Sequence, residues 1–212
     1  MNFNKIDKSI WARAKTFEHF TRGVPCTYSM TVNIDVTNLL RATKACGIKF
    51  FPAFLHCLAR EVNNREEFRM DYDGEGMPGF YDLSHPCWAV FNERDESFAT
   101  VWAEYSPDFT EFYSRCLEAA RAFKNGDVPA APAPRNIFNV SCIPWTSFTG
   151  FNLNLRDGYS YLPPIFTVGK YFEAGERTLL PFAMQLHHAV CDGWHASRFV
   201  NELQQAADKF RL

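Results

Sequence analysis

Residues 26–36 (CTYSMTVNIDV) alternate without a break. Cys26, Tyr28, Met30, Val32, Ile34 and Val36 fall on one side and Thr27, Ser29, Thr31, Asn33 and Asp35 on the other, the period of a half-buried strand. The period then changes. A helix is predicted over 37–46, with Gly47 just past its end, where a left-handed backbone is wanted. A second helix is predicted with Pro52 as its first residue and Phe54, Cys57, Leu58 and Val62 along one stripe. Residues 87–92 (CWAVFN) and 98–102 flank a polar turn at 93–96 and read as a hairpin. Phe109, Phe112, Cys116, Ala120 and Phe123 recur at helical spacing, with Gly126 closing that helix. Three prolines make 127–135 a loop. Strands are predicted over 137–143, 148–155 and 165–172, the last turning through EAGER into a strand over 178–188. Ala196, Phe199, Val200, Leu203, Ala207 and Phe210 form the stripe of a closing helix. Strands and helices interspersed without an internal repeat predict a single α/β domain over 1–212, built on a mixed sheet.

Composition narrows the function classes. The 212 residues carry 22 basic and 24 acidic side chains, a net charge of −2, so no basic excess exists to bind nucleic acid or an anionic membrane. An apolar fraction of 47% excludes a disordered chain. The aromatic fraction is 16%, from 21 Phe, 8 Tyr and 5 Trp, enough to line a flat apolar pocket with rings. No run of eighteen apolar residues occurs, and residues 1–10 (MNFNKIDKSI) lack the features of a secretory signal. Seven scattered cysteines without a C-x-x-C pair fit reduced thiols in a cytoplasmic protein.

The chemistry concentrates in residues 185–195 (QLHHAVCDGWH). On the predicted strand 178–188, Leu180, Phe182, Met184, Leu186 and His188 share a face, and His187 points the other way. His188 thus ends an apolar row. Partial desolvation there favours neutral imidazole, a usable general base near pH 7. Asp192 follows in a turn that Gly193 allows. The pair reads equally as a structural histidine with a helix-capping aspartate. A metal reading would use His187, His188, Asp192 and His195, but adjacent strand histidines face opposite sides, so one ion takes only one of the first two, and no metal is expected.

The segment HHAVCDG at 187–193, with its H-H-x-x-x-D-G pattern, resembles the chloramphenicol acetyltransferases. The looser H-x-x-x-D-G is also similar to the catalytic domain of the dihydrolipoamide acyltransferases. The first resemblance continues through Trp11-Ala12-Arg13, Cys26-Thr27-Tyr28, KFFPAFLHCL (49–58), EFRM (67–70), His85-Pro86, SCIPWTSF (141–148), 151–155, FTVGKY (166–171) and NELQQ (201–205), nearly the whole chain in the family's order.

The resemblance implies the family's fold, a two-layer mixed β-sheet with flanking helices. It implies O-acetylation of chloramphenicol by acetyl-CoA as co-substrate, in a ternary complex without an acyl-enzyme and with no permanently bound cofactor. His188 would take the proton from the antibiotic's hydroxyl, its ring held by a hydrogen bond from its inner nitrogen to its own carbonyl. Ser141 would donate to the oxyanion, and Thr167 would hold a water at the same intermediate. Asp192 would pair with Arg13 as a buried structural ion pair. Phe20, Cys26, Phe98, Phe151, Leu153 and Ile165 would line the antibiotic pocket. Lys170 and Tyr171 would contact coenzyme A, Tyr171 by stacking on adenine. The family resemblance also implies a homotrimer with active sites at subunit interfaces, the base coming from one chain and much of the pocket from its neighbour. Cys87, Trp194 and the 127–135 loop depart from the family pattern. The alternatives are a dihydrolipoamide-type acyltransferase, discounted because no lipoyl-domain segment or flexible linker is seen, and a non-catalytic homologue that sequesters an aromatic ligand, against which Ser141 together with His188 argues.

Overall fold

The alternating stretch forms a strand, as its period requires, and stands at one edge of the larger sheet. A computed structural model describes residues 2–124 and 133–211, without the side chains of residues 123–124. In chain order the elements are β1 (Phe3–Lys5), α1 (Ala14–Glu18) running into one wide helical turn (His19–Gly23), β2 (Thr27–Asp35), α2 (Thr37–Ala45), α3 (Phe50–Asn63), β3 (Met70–Tyr72), β4 (Pro78–Tyr81), β5 (His85–Asn92), β6 (Ser97–Trp102), α4 (Phe109–Lys124), β7 (Ile137–Cys142), β8 (Ile165–Val168), β9 (Phe172–Ala174), β10 (Arg177–His187) and α5 (Gly193–Asp208).

The larger sheet runs β2-β10-β8-β7-β5-β6, with β9 pairing the first residues of β10. β7 is parallel to both β5 and β8, and the other pairings are antiparallel, so the sheet is mixed. β1, β4 and β3 make a separate three-stranded sheet. One face of the large sheet is oily. Leu180, Phe182, Met184 and Leu186 of β10 are all buried there with Phe54, Leu55 and Leu58 of α3 and Phe199 of α5. Phe166 stacks between Phe182 and Phe199, at 5.6 and 5.5 Å between centroids. The opposite face carries Thr31, Ala183, Thr167 and Ser141 in one lateral row of paired residues. No described helix is long and apolar enough to cross a membrane.

Local chemistry accounts for the element ends. Gly47 has φ +64°, and the amides of Gly47 and Ile48 return to the carbonyls of Lys44 and Thr43, closing α2 as anticipated. α3 begins earlier than Pro52 predicts, at Phe50. Pro52 sits in the first turn, where its missing N–H costs nothing. The strand predicted over 165–172 is broken after Val168. At Gly169 an added Cβ would lie 2.8 Å from the Phe148 ring, and its amide bonds to Pro181 O. Residues 148–155 form no strand despite their alternation, because the amides of Phe151 and Leu153 are taken by the side chains of Thr31 and Gln185. The helix end at Gly126 and residues 127–132 of the predicted loop lie outside the described residues.

Candidate functional site

β10 ends at His187, one residue short of the predicted strand. His188 lies in the turn, where its amide donates to Cys26 O at 2.9 Å. Its imidazole is clasped by rings. Phe20 stacks on it with centroids 4.0 Å apart and planes 15° from parallel, and Tyr28 stands edge-on at 5.4 Å. His188 Nδ1 is buried and has no hydrogen-bond partner, so the rings rather than a polar anchor fix the orientation. Phe20, anticipated as pocket lining, is the principal packing partner of the imidazole. Cys26 contributes its carbonyl. Tyr28 was missed as a site residue; its position on the apolar side of β2, one strand from Leu186, is the signal that could have found it.

His187 is a different kind of histidine. It is 1% exposed; Nδ1 accepts from the Ala189 amide at 3.1 Å, so the proton sits on Nε2, 3.0 Å from Tyr159 O. Burial pushes its pKa down, against the opposing pull of the Tyr159 carbonyl. It is a neutral structural brace.

Asp192 caps α5, accepting from the amides of Trp194 and His195 and from His195 Nδ1 at 2.8 Å, while Arg13 Nη1 donates to its other oxygen at 2.9 Å. Partial burial raises the carboxyl's pKa, but the Arg13 and His195 hydrogen bonds outweigh it and hold the value down to about 2. The sequence anticipated a buried ion pair. The two side chains retain 23% and 35% exposure, because the helix start they hold lies at the surface. Arg13 Nη2 also reaches Ala189 O at 3.5 Å, beside His188.

Ser141 and Thr167 are neighbours on β7 and β8, and Thr167 pairs in turn with Ala183. Phe151, Leu153, Ile165 and Thr167 meet in a nearly closed crease of about 10 Å³ over this face. His188 is not part of it. It stands five residues along from Ala183, and Ser141 stands two strands across, a separation of roughly 19 Å. Within one chain His188 and Ser141 therefore stand too far apart to touch the same small group.

Lys170 and Tyr171 lie on a cleft of about 370 Å³ with Phe50, Phe51, Phe54 and Pro144. Tyr171 is 43% exposed, and its ring meets Phe50 edge-on at 5.8 Å. A larger cleft of about 480 Å³ adjoins it, sharing Phe51, Cys142 and Pro144. Phe98 lines this second cleft, 60% exposed and facing Phe91 and Trp145, and so stands apart from Phe151 and Leu153. Lys49, Phe51 and Trp145 are site candidates that motif reading left without a role, although they fall inside the KFFPAFLHCL and SCIPWTSF segments. Of the departures from the family pattern, Cys87 is 2% exposed, its thiol pushed up to about 11 by burial, and Trp194 is 65% exposed beneath the Arg198 guanidinium.

The family profile described as Chloramphenicol acetyltransferase matches residues 1–204. The chain belongs to the chloramphenicol acetyltransferase family. It is 46% identical over 213 aligned positions to a chloramphenicol acetyltransferase of Clostridium butyricum, covering 100% of this chain and 97% of that one. The chloramphenicol acetyltransferase of Campylobacter coli is 44% identical, with 99% of this chain and 100% of the other covered. A solved chloramphenicol acetyltransferase superposes with a TM-score of 0.86 over 97% of this chain and 99% of its own, at 24% identity. A probable dihydrolipoamide acetyltransferase from Listeria monocytogenes follows the same fold, with a TM-score of 0.68, 15% identity, and coverage of 97% and 94%. The fold expected from the resemblance is therefore the fold observed.

Proposed function

We propose that this chain transfers the acetyl group of acetyl-CoA to a hydroxyl of chloramphenicol, directly and within a ternary complex, at sites that two copies complete together. Family membership makes it an acyltransferase and supports that donor and acceptor. The observation that carries the mechanistic reading is the ring-clasped His188, with Ser141 held roughly 19 Å away on the same sheet.

An alcohol is a poor nucleophile until a positioned base takes its proton. His188 Nε2 removes it, and the oxygen attacks the thioester carbonyl. Ser141 of a second copy donates to the oxyanion that forms, with Thr167 beside it. The intermediate then collapses, the C–S bond breaks, and the imidazolium returns its proton to the departing sulfur. Phe151, Leu153 and Ile165 supply an apolar wall for the acceptor. The two adjoining clefts, with Lys170 and Lys49 at their margins, suit a long anionic thioester carrier. No resident cofactor has a role in these steps.

A homotrimer fits this division of labour. Leu153 and Leu155, 36% and 41% exposed on the 148–155 segment, are the surface a second copy would cover. Seven free cysteines, four of them buried, suit the reducing cytoplasm, where acetyl-CoA is to be used. The deciding experiment mixes the protein with acetyl-CoA and chloramphenicol and follows thiol release. Release that depends on both substrates supports the reading, and none in the presence of both overturns it.

A further inference from the structure

Gln185 lies three residues before His188, inside the segment that carries the chemistry, yet no step above uses it. It is half-buried on β10, pairing with Ser29 of β2 and Ile165 of β8. Its Oε1 accepts the amide of Leu153 at 2.9 Å. Two residues earlier on the same strap, the Phe151 amide donates to Thr31 Oγ1 at 3.3 Å. In an extended segment the N–H groups of residues i and i+2 project from one edge. Both hooks therefore catch the same edge of residues 148–155. That segment has no strand partner among the described residues, and these side chains replace the ladder that a strand would have. Phe151, Leu153 and Gln185 line the same small crease as Ile165 and Thr167.

We propose that Gln185 and Thr31 are positioning residues for the acceptor: they clip the strap to the sheet at Leu153 and Phe151 and so set where the apolar wall of the acceptor pocket stands. The inference rests on the proposed acceptor reading. Neither side chain touches reacting atoms. Their effect is on ground-state binding of the acceptor and not on the proton transfer at His188. Removing an uncharged hydrogen bond of this kind is worth about 3–10-fold.

The test is steady-state kinetics on the assembled protein, varying chloramphenicol at saturating acetyl-CoA and then the reverse. Gln185→Ala and Thr31→Val are each expected to raise the KM for chloramphenicol about 3–10-fold, with kcat and the KM for acetyl-CoA within about twofold of the parent. Gln185→Glu and Thr31→Ser keep an acceptor oxygen and are expected to recover most of that affinity. A loss shared equally by both substrates, a fall in kcat alone, or a Gln185→Glu variant as poor as Gln185→Ala overturns the proposal. Hydrogen exchange gives a readout that needs no turnover. The Leu153 amide is expected to exchange about 5–10-fold faster in Gln185→Ala than in the parent. An unchanged rate there overturns the hooks whatever the acceptor is. A parent protein that acetylates no chloramphenicol, but shows the faster exchange on substitution, overturns the acceptor reading and leaves the hooks standing.

Discussion

The ring of Phe20 lies flat on the imidazole of His188, centroids 4.0 Å apart, and with Tyr28 it leaves that imidazole little freedom to rotate. A stacked aromatic pair of this sort supplies about 0.5–1.5 kcal/mol beyond simple burial. A base that acts on a hydroxyl must hold its aim within fractions of an ångström. Phe20→Ala is therefore expected to lower kcat about 10–100-fold, and Phe20→Tyr, which keeps the stack, to stay within about threefold. Measuring kcat for both variants checks this. Equal losses in the two would mean that the stack does not orient the ring.

His188→Ala removes the proposed base while leaving the 148–155 strap and the clefts untouched. Turnover is expected to fall by about 10²–10⁴-fold or more, with chloramphenicol still bound at a Kd near that of the parent. Calorimetric titration beside a thiol-release assay separates the two effects. Parent-like turnover would remove His188 from its role.

Asp192 joins Arg13 to the start of α5, and its part-exposed setting moderates what the ion pair is worth. Asn keeps the cap but gives up the charge. Asp192→Asn is thus expected to cost about 1 kcal/mol, a fall in Tm of about 2–4 °C at neutral pH, and not the 3–5 kcal/mol of a buried pair broken on one side. The carboxyl's pKa is lowered in the folded state to about 2, so its contribution is present above the ordinary carboxylate value and fades as pH falls from about 4 toward 2. Melting curves should show the gap between parent and variant shrinking over that acid window.

Three buried histidines add a pH dependence at milder acidity. Burial lowers the pKa of His187, His56 and His85, which are 1%, 7% and 8% exposed. The unfolded chain therefore takes up protons below about pH 6.5 that the folded chain refuses, and stability present above that pH is lost as pH falls through it. His187→Gln retains an amide donor for Tyr159 O and is expected to flatten the loss between pH 7 and 5, which urea midpoints across that range would measure.

Much of this architecture was legible because half-buried strands write their period into the sequence. β2 could be placed from alternation, β5 and β6 from the polar turn between them, and α2 from the glycine that ends it. β1, β3 and β4 are three or four residues long, too short for a period to show. Residues 148–155 have the alternation of a strand but spend their amides on Thr31 and Gln185, and no pattern within the segment reveals where its hydrogen bonds go. The start of α3 was misplaced because a proline is tolerated throughout the first turn as well as at its head. The site divides in the same way. The identities of His188, Ser141, Thr167 and Asp192 could be read from motifs, whereas their spacing is fixed by the register of β10 on β8 and β8 on β7, strands that find each other only in three dimensions.

That spacing yields the strongest test of a shared site. Ser141→Ala alone is expected to drop kcat about 10²-fold with little change in binding, by loss of one oxyanion donor. His188→Ala alone is expected to be nearly inactive. If each site takes its base from one copy and its donor from another, then a trimer mixing the two inactive chains can assemble an intact site from the His188 of one and the Ser141 of the other. Random association of equal amounts makes such a pairing at about a quarter of all sites. Co-refolded mixtures are expected to recover about a quarter of parental activity, while the same two proteins mixed without unfolding recover none beyond their sum. If the two residues instead served one site within a single chain, co-refolding would restore nothing, because every chain in the mixture lacks one of them.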